Sequence, residues 1–504
     1  MSAPLGFLLS AVLGILSFPP VGIWPLSYVA LIPFLASCVA LPPKRARRWA
    51  YLGGFVFFAG LLYWLGLNSG APPMLSAASV VVVVLILSTV WSITAGAVSL
   101  AARRFGLVTA MILFVVLYLF FEVFWGTGEL GFPWALWGLT QIGFLPAAQL
   151  ADLGDVYGLS LWVVSLNALL FLLWKIPARR KQIGLITALT FVVPLLYGII
   201  RLSTFSFGPP VQVAAVQANT PVEEKWEMSA EDIAQSYLKT SAPLVGTGTR
   251  LVVWPETATP TPLRYRQWLS DELHTFCDGS NMTLLTGATD YEQDSVRGMV
   301  PLNSAFLIRP GTRELLSSAK IHLVPFGERI PAQKIFPFLH RLHLGQAEWE
   351  PGKSVVVFPP NNGIPASGCL ICFEVVFPDL AADMTRGGAR LLTTITNDGW
   401  YGNSSGPYQH LDLARLRAIA VRRSIVRSAN TGISALILPT GAMSKTLGYN
   451  RAGEIHGTVP EQTEITLAAW LAHIWLPFYG AILLLTLVVL WIKVRHPRTS
   501  RPVL

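Results

Sequence analysis

Two hydrophobic patterns divide the chain. Long unbroken apolar runs fill residues 1–205 and return near the C-terminal end. They lie at roughly 4–19, 21–41, 50–68, 78–100, 106–124, 157–175, 183–201 and 468–492. A run of about 18 or more apolar residues is long enough to cross a bilayer as a helix. The pattern therefore predicts a multi-span helical membrane bundle of about eight spans. The first run is short and is broken by Pro19 and Pro20, which suits a re-entrant segment. No Lys or Arg precedes it and a second run follows at once, so a cleaved signal peptide is not expected.

Residues 209–460 follow the second pattern. Short β-branched runs recur there: "VQVAAVQAN", "RLVVWPE", "MTLLTGATD", "NSAFLIRP", "KSVVVFP", "GCLICFE", "ARLLTTITND" and "ISALILPTG". Helical stretches fall between them near 229–244, 263–277, 377–386 and 408–423. Strands and helices alternating at this spacing predict sheets covered by helices. Chemistry in such folds gathers where strands end and loops begin.

Composition agrees with the first pattern: 53% of residues are hydrophobic and 13% charged, against about 25% charged in a soluble domain. Charge placement adds orientation. Basic residues cluster after alternate spans: Lys44 to Arg48, Arg103 with Arg104, Lys175 to Lys181, and Lys493 to Arg501. The loops between, around "NSGAPPM" and from Gly126 to Val156, contain no Lys or Arg. Short basic loops stay cytoplasmic. Both termini are thus expected inside, with domain 209–460 outside, a last helix at 468–492 and a basic cytoplasmic tail at 493–504. Most of the net charge of +9 belongs to these anchors, so it does not suggest nucleic-acid binding.

Three polar residues stand where apolar strands end. Glu256 ends "LVVWPE", Lys320 precedes "IHLVPFGE", and Cys372 ends "GCLIC". Folding does not require charge at these places. A free thiol has an ordinary pKa of about 8.5 and is mostly protonated near neutrality. A carboxylate beside it can take its proton as it attacks a carbonyl, and an ammonium can stabilise the oxyanion that forms. Cys372 reads as nucleophile, Glu256 as general base and acid, and Lys320 as electrostatic stabiliser. The Phe373 N–H is a natural second oxyanion donor.

Cys369 and Cys372 form a C-x-x-C spacing. In a strand, positions three apart face opposite sides. The two are not expected to pair, and Cys369 reads as a small buried hydrophobe. No metal or cofactor is expected.

At these residues the sequence resembles the nitrilase superfamily. "WPE", the lysine ahead of "HLVPFGE", and "CFE" match its Glu–Lys–Cys signature. "LSFPPVGIWPLSYVALIPFL", "GTGELGFPWALWGLTQ", "ADLGDVYGLSLWVVSLNALL" and "NDGWYGNSSGPYQH" are similar to the membrane branch, the apolipoprotein N-acyltransferases. The resemblance implies an extracytoplasmic nitrilase-like α-β-β-α sandwich on a bundle in the bacterial inner membrane. It implies a ping-pong reaction of a monomer: an acyl chain passes from a phospholipid to a cysteine thioester, then to the α-amine of a diacylglyceryl-cysteine on an apolipoprotein.

By match to motif, Glu328 is a second glutamate supporting the triad. Phe373 and Glu374 follow the nucleophile, where the family usually has Tyr-Glu. Trp226 matches a tryptophan on a loop over the pocket. Glu374 suits a structural hydrogen-bond partner, and Asn397 with Asp398 suit a brace at a strand end. Apolar lids are expected around 222–228 and 330–350, the second carrying Phe336, Phe338, Leu339 and Trp349. Phe132, Trp134 and Trp137 suit the membrane interface. The chain departs from the family pattern at Ser318-Ala319, at Ala420, at Trp125 after Glu122, and at Phe373. A membrane-anchored amidase shares the triad and is one competing reading. A transporter is the other, disfavoured because Glu122 is almost alone as an ionisable group in the spans.

Overall fold

The computed structural model describes residues 3–225, 227–295, 297–333 and 348–495. Among these, six helices are long and apolar enough to cross a membrane: Pro43–Leu67, Pro73–Phe105, Leu107–Trp125, Ala151–Lys175, Pro177–Ser203 and Trp475–Arg495. The two N-terminal runs form shorter apolar helices, Leu5–Ser17 and Trp24–Ala40. Prolines divide this region: Pro19 and Pro20 follow the first helix, and Pro42 and Pro43 open the next long one.

Among the described residues thirteen strands follow, in two sheets. The first sheet holds β1 (Pro210–Gln217), β2 (Leu251–Val253), β3 (Thr259–Pro262), β4 (Thr283–Asp294), β5 (Gly298–Ile308) and β6 (Leu315–Ala319), closed at one edge by the last strand, β13 (Gly453–Pro460). Its order is β13-β1-β2-β4-β5-β6, with β3 paired to β4. The second sheet holds β7 (Val357–Phe358), β8 (Ser367–Ile371), β9 (Leu391–Thr396), β10 (Ile425–Ala429), β11 (Ser434–Ile437) and β12 (Met443–Leu447). Its order is β12-β11-β10-β9-β8-β7. The central pairs β1–β2, β2–β4, β8–β9 and β9–β10 are parallel, and the outer pairs are largely antiparallel.

Period-2 alternation builds the layers. Val211, Val213 and Ala215 face Ile371, Ile395 and Val426 across the gap between the sheets. Their neighbours Ala214 and Val216 face outward onto the helices Ala230–Ser241 and Gln267–Ser280. The second sheet turns Leu370 and Leu392 toward the helices Pro378–Arg386 and Ser405–Val421. Two sheets between two helical layers make an α-β-β-α sandwich.

The layer Ser405–Val421 is buried nearly all round. A helix gains that character when it has packed neighbours on both sides. Here they are the second sheet and the membrane helices, whose apolar residues join it in one continuous core.

Two expectations are corrected. Trp134 and Trp137 are not interfacial anchors. Trp137 is fully buried and donates to Tyr118 Oη at 2.8 Å. Trp134 is buried and donates to Gln409 Oε1 at 2.7 Å. Trp137 packs inside the bundle against Phe18 and Phe57, and Trp134 fills the joint between bundle and sandwich. Cys372, second, is not part of its strand: β8 stops at Ile371, and Cys372 opens a short 3-10 turn, Cys372–Val376, with φ of 53°. The opposite-face argument for Cys369 and Cys372 assumed a strand that in fact ends between them.

Candidate active site

The site is assembled from strand ends. β2 runs out at Val253, and the chain carries Glu256 into a tight loop behind it. Gly287 on β4 makes room for that loop. A Cβ at Gly287 would stand 2.5 Å from the Thr257 nitrogen and 2.8 Å from Glu256 Cα. β6 ends at Ala319, and Lys320 is the next residue. Its backbone N–H is pinned to the Asn303 carbonyl on β5 at 2.8 Å. The Lys320 ammonium is buried and donates to Glu328 Oε1 at 2.7 Å and to Glu256 Oε1 at 3.2 Å. Asn303 Nδ2 donates to the same Glu256 oxygen at 2.8 Å.

Two carboxylates decide the state of this lysine. Burial alone would favour its neutral form, but Glu256 and Glu328 outweigh it and hold the ammonium well above its ordinary range. Glu328 is held in turn by its other oxygen, which accepts from the Val324 N–H at 2.8 Å.

Cys372 is partly buried at the mouth of this cluster. A left-handed φ is costly for a residue with a side chain and persists where the surroundings over-determine it. Glu374 supplies part of that restraint. Its Oε2 accepts from the Ile371 N–H at 2.7 Å, and its Oε1 accepts from Ile321 at 2.6 Å and His322 at 3.3 Å. One carboxylate thus clamps the cysteine turn to the lysine loop, the arrangement expected of a structural partner. Burial pushes the Cys372 thiol up, the Glu256 charge pushes it further, and Lys320 opposes both. Burial and the Glu256 charge thus both favour the thiol over the thiolate.

The remaining candidates are dispersed. Phe373 is buried, with its ring centroid 5.1 Å from that of Phe377 and 6.3 Å from that of Phe132. Asn397 is buried and accepts from Asn430 Nδ2 at 3.4 Å, which ties β9 to the loop after β10. Trp349 donates its backbone N–H to the Glu328 carbonyl at 3.0 Å. Trp226, Phe336, Phe338 and Leu339 lie outside the described residues. Among those described, no group of three or more His, Cys, Asp or Glu is placed to hold a metal ion.

A second charged cluster behind the sulfur was missed. Asp398 is buried and accepts from Arg427 Nη2 at 2.6 Å. His410 Nδ1 lies 2.9 Å from Asp398 Oδ1, and its Nε2 donates to the Cys372 carbonyl at 3.1 Å. Burial works against the Asp398 charge, but Arg427 and His410 outweigh it and hold the carboxyl well below its ordinary range. Sequence reasoning treated Asp398 as a brace and passed over His410 and Arg427. Both lie in or beside apolar stretches, and that was the available signal. Lys225 was missed as well. It is buried, donates to Thr257 Oγ1 at 2.8 Å, and burial lowers it to about 8.

Comparison with known proteins adds to this geometry. Residues 10–169 match the family described as "Apolipoprotein N-acyltransferase N-terminal domain", and residues 212–466 match "Carbon-nitrogen hydrolase". A protein of Geobacter metallireducens named apolipoprotein N-acyltransferase is 34% identical over 454 residues, covering 85% of this chain and 84% of its own. The chain belongs to the apolipoprotein N-acyltransferase family. A relative of that name in Azotobacter vinelandii is 31% identical over 89% of this chain and 87% of its own. Among solved structures, Saccharomyces cerevisiae Nit3, titled a member of branch 10 of the nitrilase superfamily, is 18% identical, with a TM-score of 0.40 over 50% of this chain and 91% of its own. In this member of the apolipoprotein N-acyltransferase family the two matched regions are joined through the buried helix Ser405–Val421.

Proposed function

We propose that the chain transfers an acyl chain from a phospholipid, through a thioester on Cys372, to the α-amine of the N-terminal diacylglyceryl-cysteine of an apolipoprotein. The observation that carries this reading is the sharing of one buried ammonium, Lys320, between Glu256 and Glu328 beside a partly buried thiol. Membership of the family and the apolar helices support it.

In the first half, Glu256 takes the Cys372 proton as sulfur attacks the ester carbonyl. The C–S bond forms and the ester C–O bond breaks. The proton passes from Glu256 to the departing lysophospholipid oxygen. In the second half the amine attacks the thioester carbonyl and gives its proton to Glu256. The C–S bond breaks, and the proton returns to sulfur. Lys320 and the Phe373 N–H stabilise the oxyanion in both halves, and each such donor is typically worth about 10²–10³ in rate. Glu328 and Glu374 hold Lys320 and the cysteine turn in place, and Asn397 braces the end of β9. Trp349 belongs to a lid over the pocket.

Both substrates are lipids, and drawing an acyl chain into water costs about 0.8 kcal/mol per CH₂. The site therefore opens toward the bilayer. A cleft of about 200 Å³ lined by Gly128, Gly131, Ile321, His322 and Phe377 lies between the bundle loop and the lysine loop, and suits that entrance. Eight segments associate with the bacterial inner membrane in this reading: the six long helices and the two short N-terminal ones. The basic loops and both termini are cytoplasmic, domain 209–460 is periplasmic, and the protein works as a monomer.

The test is to incubate the protein with phospholipid and map the adduct by mass spectrometry. An acyl group on Cys372 that a diacylglyceryl-cysteine peptide discharges is the expected result. Discharge by water with the peptide ignored would replace the reading with that of an amidase.

A further inference from the structure

Thr396 is the last residue of β9 and is fully buried. Its Oγ1 lies 3.3 Å from Cys372 Sγ and 2.9 Å from Asp398 Oδ1. A hydroxyl has one hydrogen to donate, so it serves only one of these acceptors at a time. Asp398 cannot turn to help. Its Oδ2 is held by Arg427 and its Oδ1 faces His410. It also packs against Gly432, where a Cβ would come within 2.3 Å of the carboxylate. The His410 ring is fixed too, by the Cys372 carbonyl at one nitrogen and Asp398 at the other. The Thr396 O–H can rotate between its two acceptors.

We propose that Thr396 is a further catalytic residue, whose hydroxyl donates to Cys372 Sγ while the sulfur carries negative charge and to Asp398 while the sulfur is protonated or acylated. This rests on Cys372 being the nucleophile. During acylation Glu256 removes the S–H proton, and the hydroxyl rotates from Asp398 to the sulfur. Once the C–S bond has formed, the sulfur is a poor acceptor and the hydroxyl returns. During aminolysis the C–S electron pair collapses onto sulfur, and Thr396 is again the donor that meets it. Glu256 then returns the amine proton. The sulfur lies in the field of two carboxylates, Glu256 and Asp398, which both oppose a thiolate. Asp398, Arg427 and His410 act through Thr396 and are positioning residues.

A merely structural Thr396 would donate permanently to Asp398 and brace the turn. The two accounts separate in the pH dependence of thiol reactivity. The full-length protein in detergent is treated with iodoacetamide across about pH 6 to 10, and alkylation is read at the Cys372 peptide. No lipid substrate enters this measurement, so its failure is distinct from a failure of the acyl-transfer reading. Thr396→Val keeps the volume and loses the donor. Its profile is expected to move to higher pH, with alkylation near neutrality slowed roughly tenfold. Thr396→Ser restores the donor and should lie within about twofold of the unaltered protein. Thr396→Ala gives the same comparison if the valine variant does not fold. A profile unmoved by loss of the hydroxyl overturns the proposal. So does a serine variant as impaired as the valine one, which would mean that the methyl group is what matters.

Discussion

Two of the buried charge clusters in this molecule differ in an instructive way. In one, Lys320 lies between Glu256 and Glu328. In the other, at the joint between membrane helices and sandwich, Arg417 meets Asp155 and Arg422 meets Asp152. Burial is similar, so burial does not separate them. Saturation does. Arg417 also donates to the Val375 carbonyl at 3.2 Å and the Val376 carbonyl at 3.0 Å. Arg422 adds Gln149 Oε1 at 2.6 Å and the Pro439 carbonyl at 3.1 Å. These guanidiniums spend their donors on fixed protein acceptors. Lys320 meets two carboxylates, and the Cys372 thiol lies within reach of its charge. Buried ion pairs of the first kind hold parts together. A cluster with an ionisable thiol as its neighbour suits catalysis.

The largest expected effect tests the catalytic side. Glu256→Gln keeps an acceptor for Lys320 and Asn303 but cannot take a proton. Acyl transfer should fall by about 10³, while the unfolding temperature stays within a few degrees. Arg417→Met should show the reverse. It leaves Asp155 buried without its partner, and losses of this kind run to about 3–5 kcal/mol. Unfolding in detergent should report it. Adding Asp155→Asn to Arg417→Met should recover part of the loss, because the uncompensated charge is gone. If Arg417→Met abolished transfer and left unfolding unchanged, the division between the clusters would be wrong.

Gly287 ranks next. Gly287→Ala places a methyl group against the Thr257 nitrogen and Glu256 Cα. It removes no catalytic group but displaces one. Misplacement by about 1 Å can cost 10²-fold, so a loss of roughly that size is expected, mainly in kcat. This residue also shows what the sequence conceals. Glu256, Lys320 and Cys372 were legible because each interrupts an apolar strand end with chemistry that folding does not need. The layered sandwich was legible from β-branched runs at regular spacing. Gly287 was not, because its role is the space it leaves for the loop at Glu256 and Thr257, distant in the chain. Asn303, Thr396, His410 and Arg427 were hidden for a related reason. Each lies within a strand or helix whose pattern predicts an element and is silent about the neighbouring element. Arg417, Arg422, Arg423 and Arg427 of "ARLRAIAVRRSIVRSAN" look like solvated charge in the sequence, and all four are buried.

Lys225 gives a smaller effect with a definite sign. Burial lowers it from 10.5 to about 8, and Glu256 only partly offsets this. Between these values the unfolded chain holds a proton that the folded chain has released. Stability contributed by this group therefore rises with pH across that window. Lys225→Met should remove this slope, so the unfolding free energy of the variant minus that of the parent should fall from pH 8 to 10.5. A difference independent of pH would mean that Lys225 is solvated and lies clear of Glu256.

Cys369→Ser should do least to transfer, and it separates the two cysteines. Cys369 is buried between the sheets beside Ile371 and Ile395, and all four cysteines are free thiols. Burial pushes its thiol up to about 12, so it holds its proton at any working pH. Its strand is regular there, with Cys369 paired to Thr393. Cys372, three residues on, stands outside the strand on a left-handed turn beside Thr396. The serine hydroxyl would cost about 1–3 kcal/mol if buried without a partner, felt as a lower unfolding temperature. The acyl adduct on Cys372 should form at a rate within about twofold of the parent, since packing behind a strand end changes little at the reacting sulfur. Loss as complete as that expected of Cys372→Ala would show that the two thiols act as a pair, and the contrast between a reactive turn and an inert strand would fall.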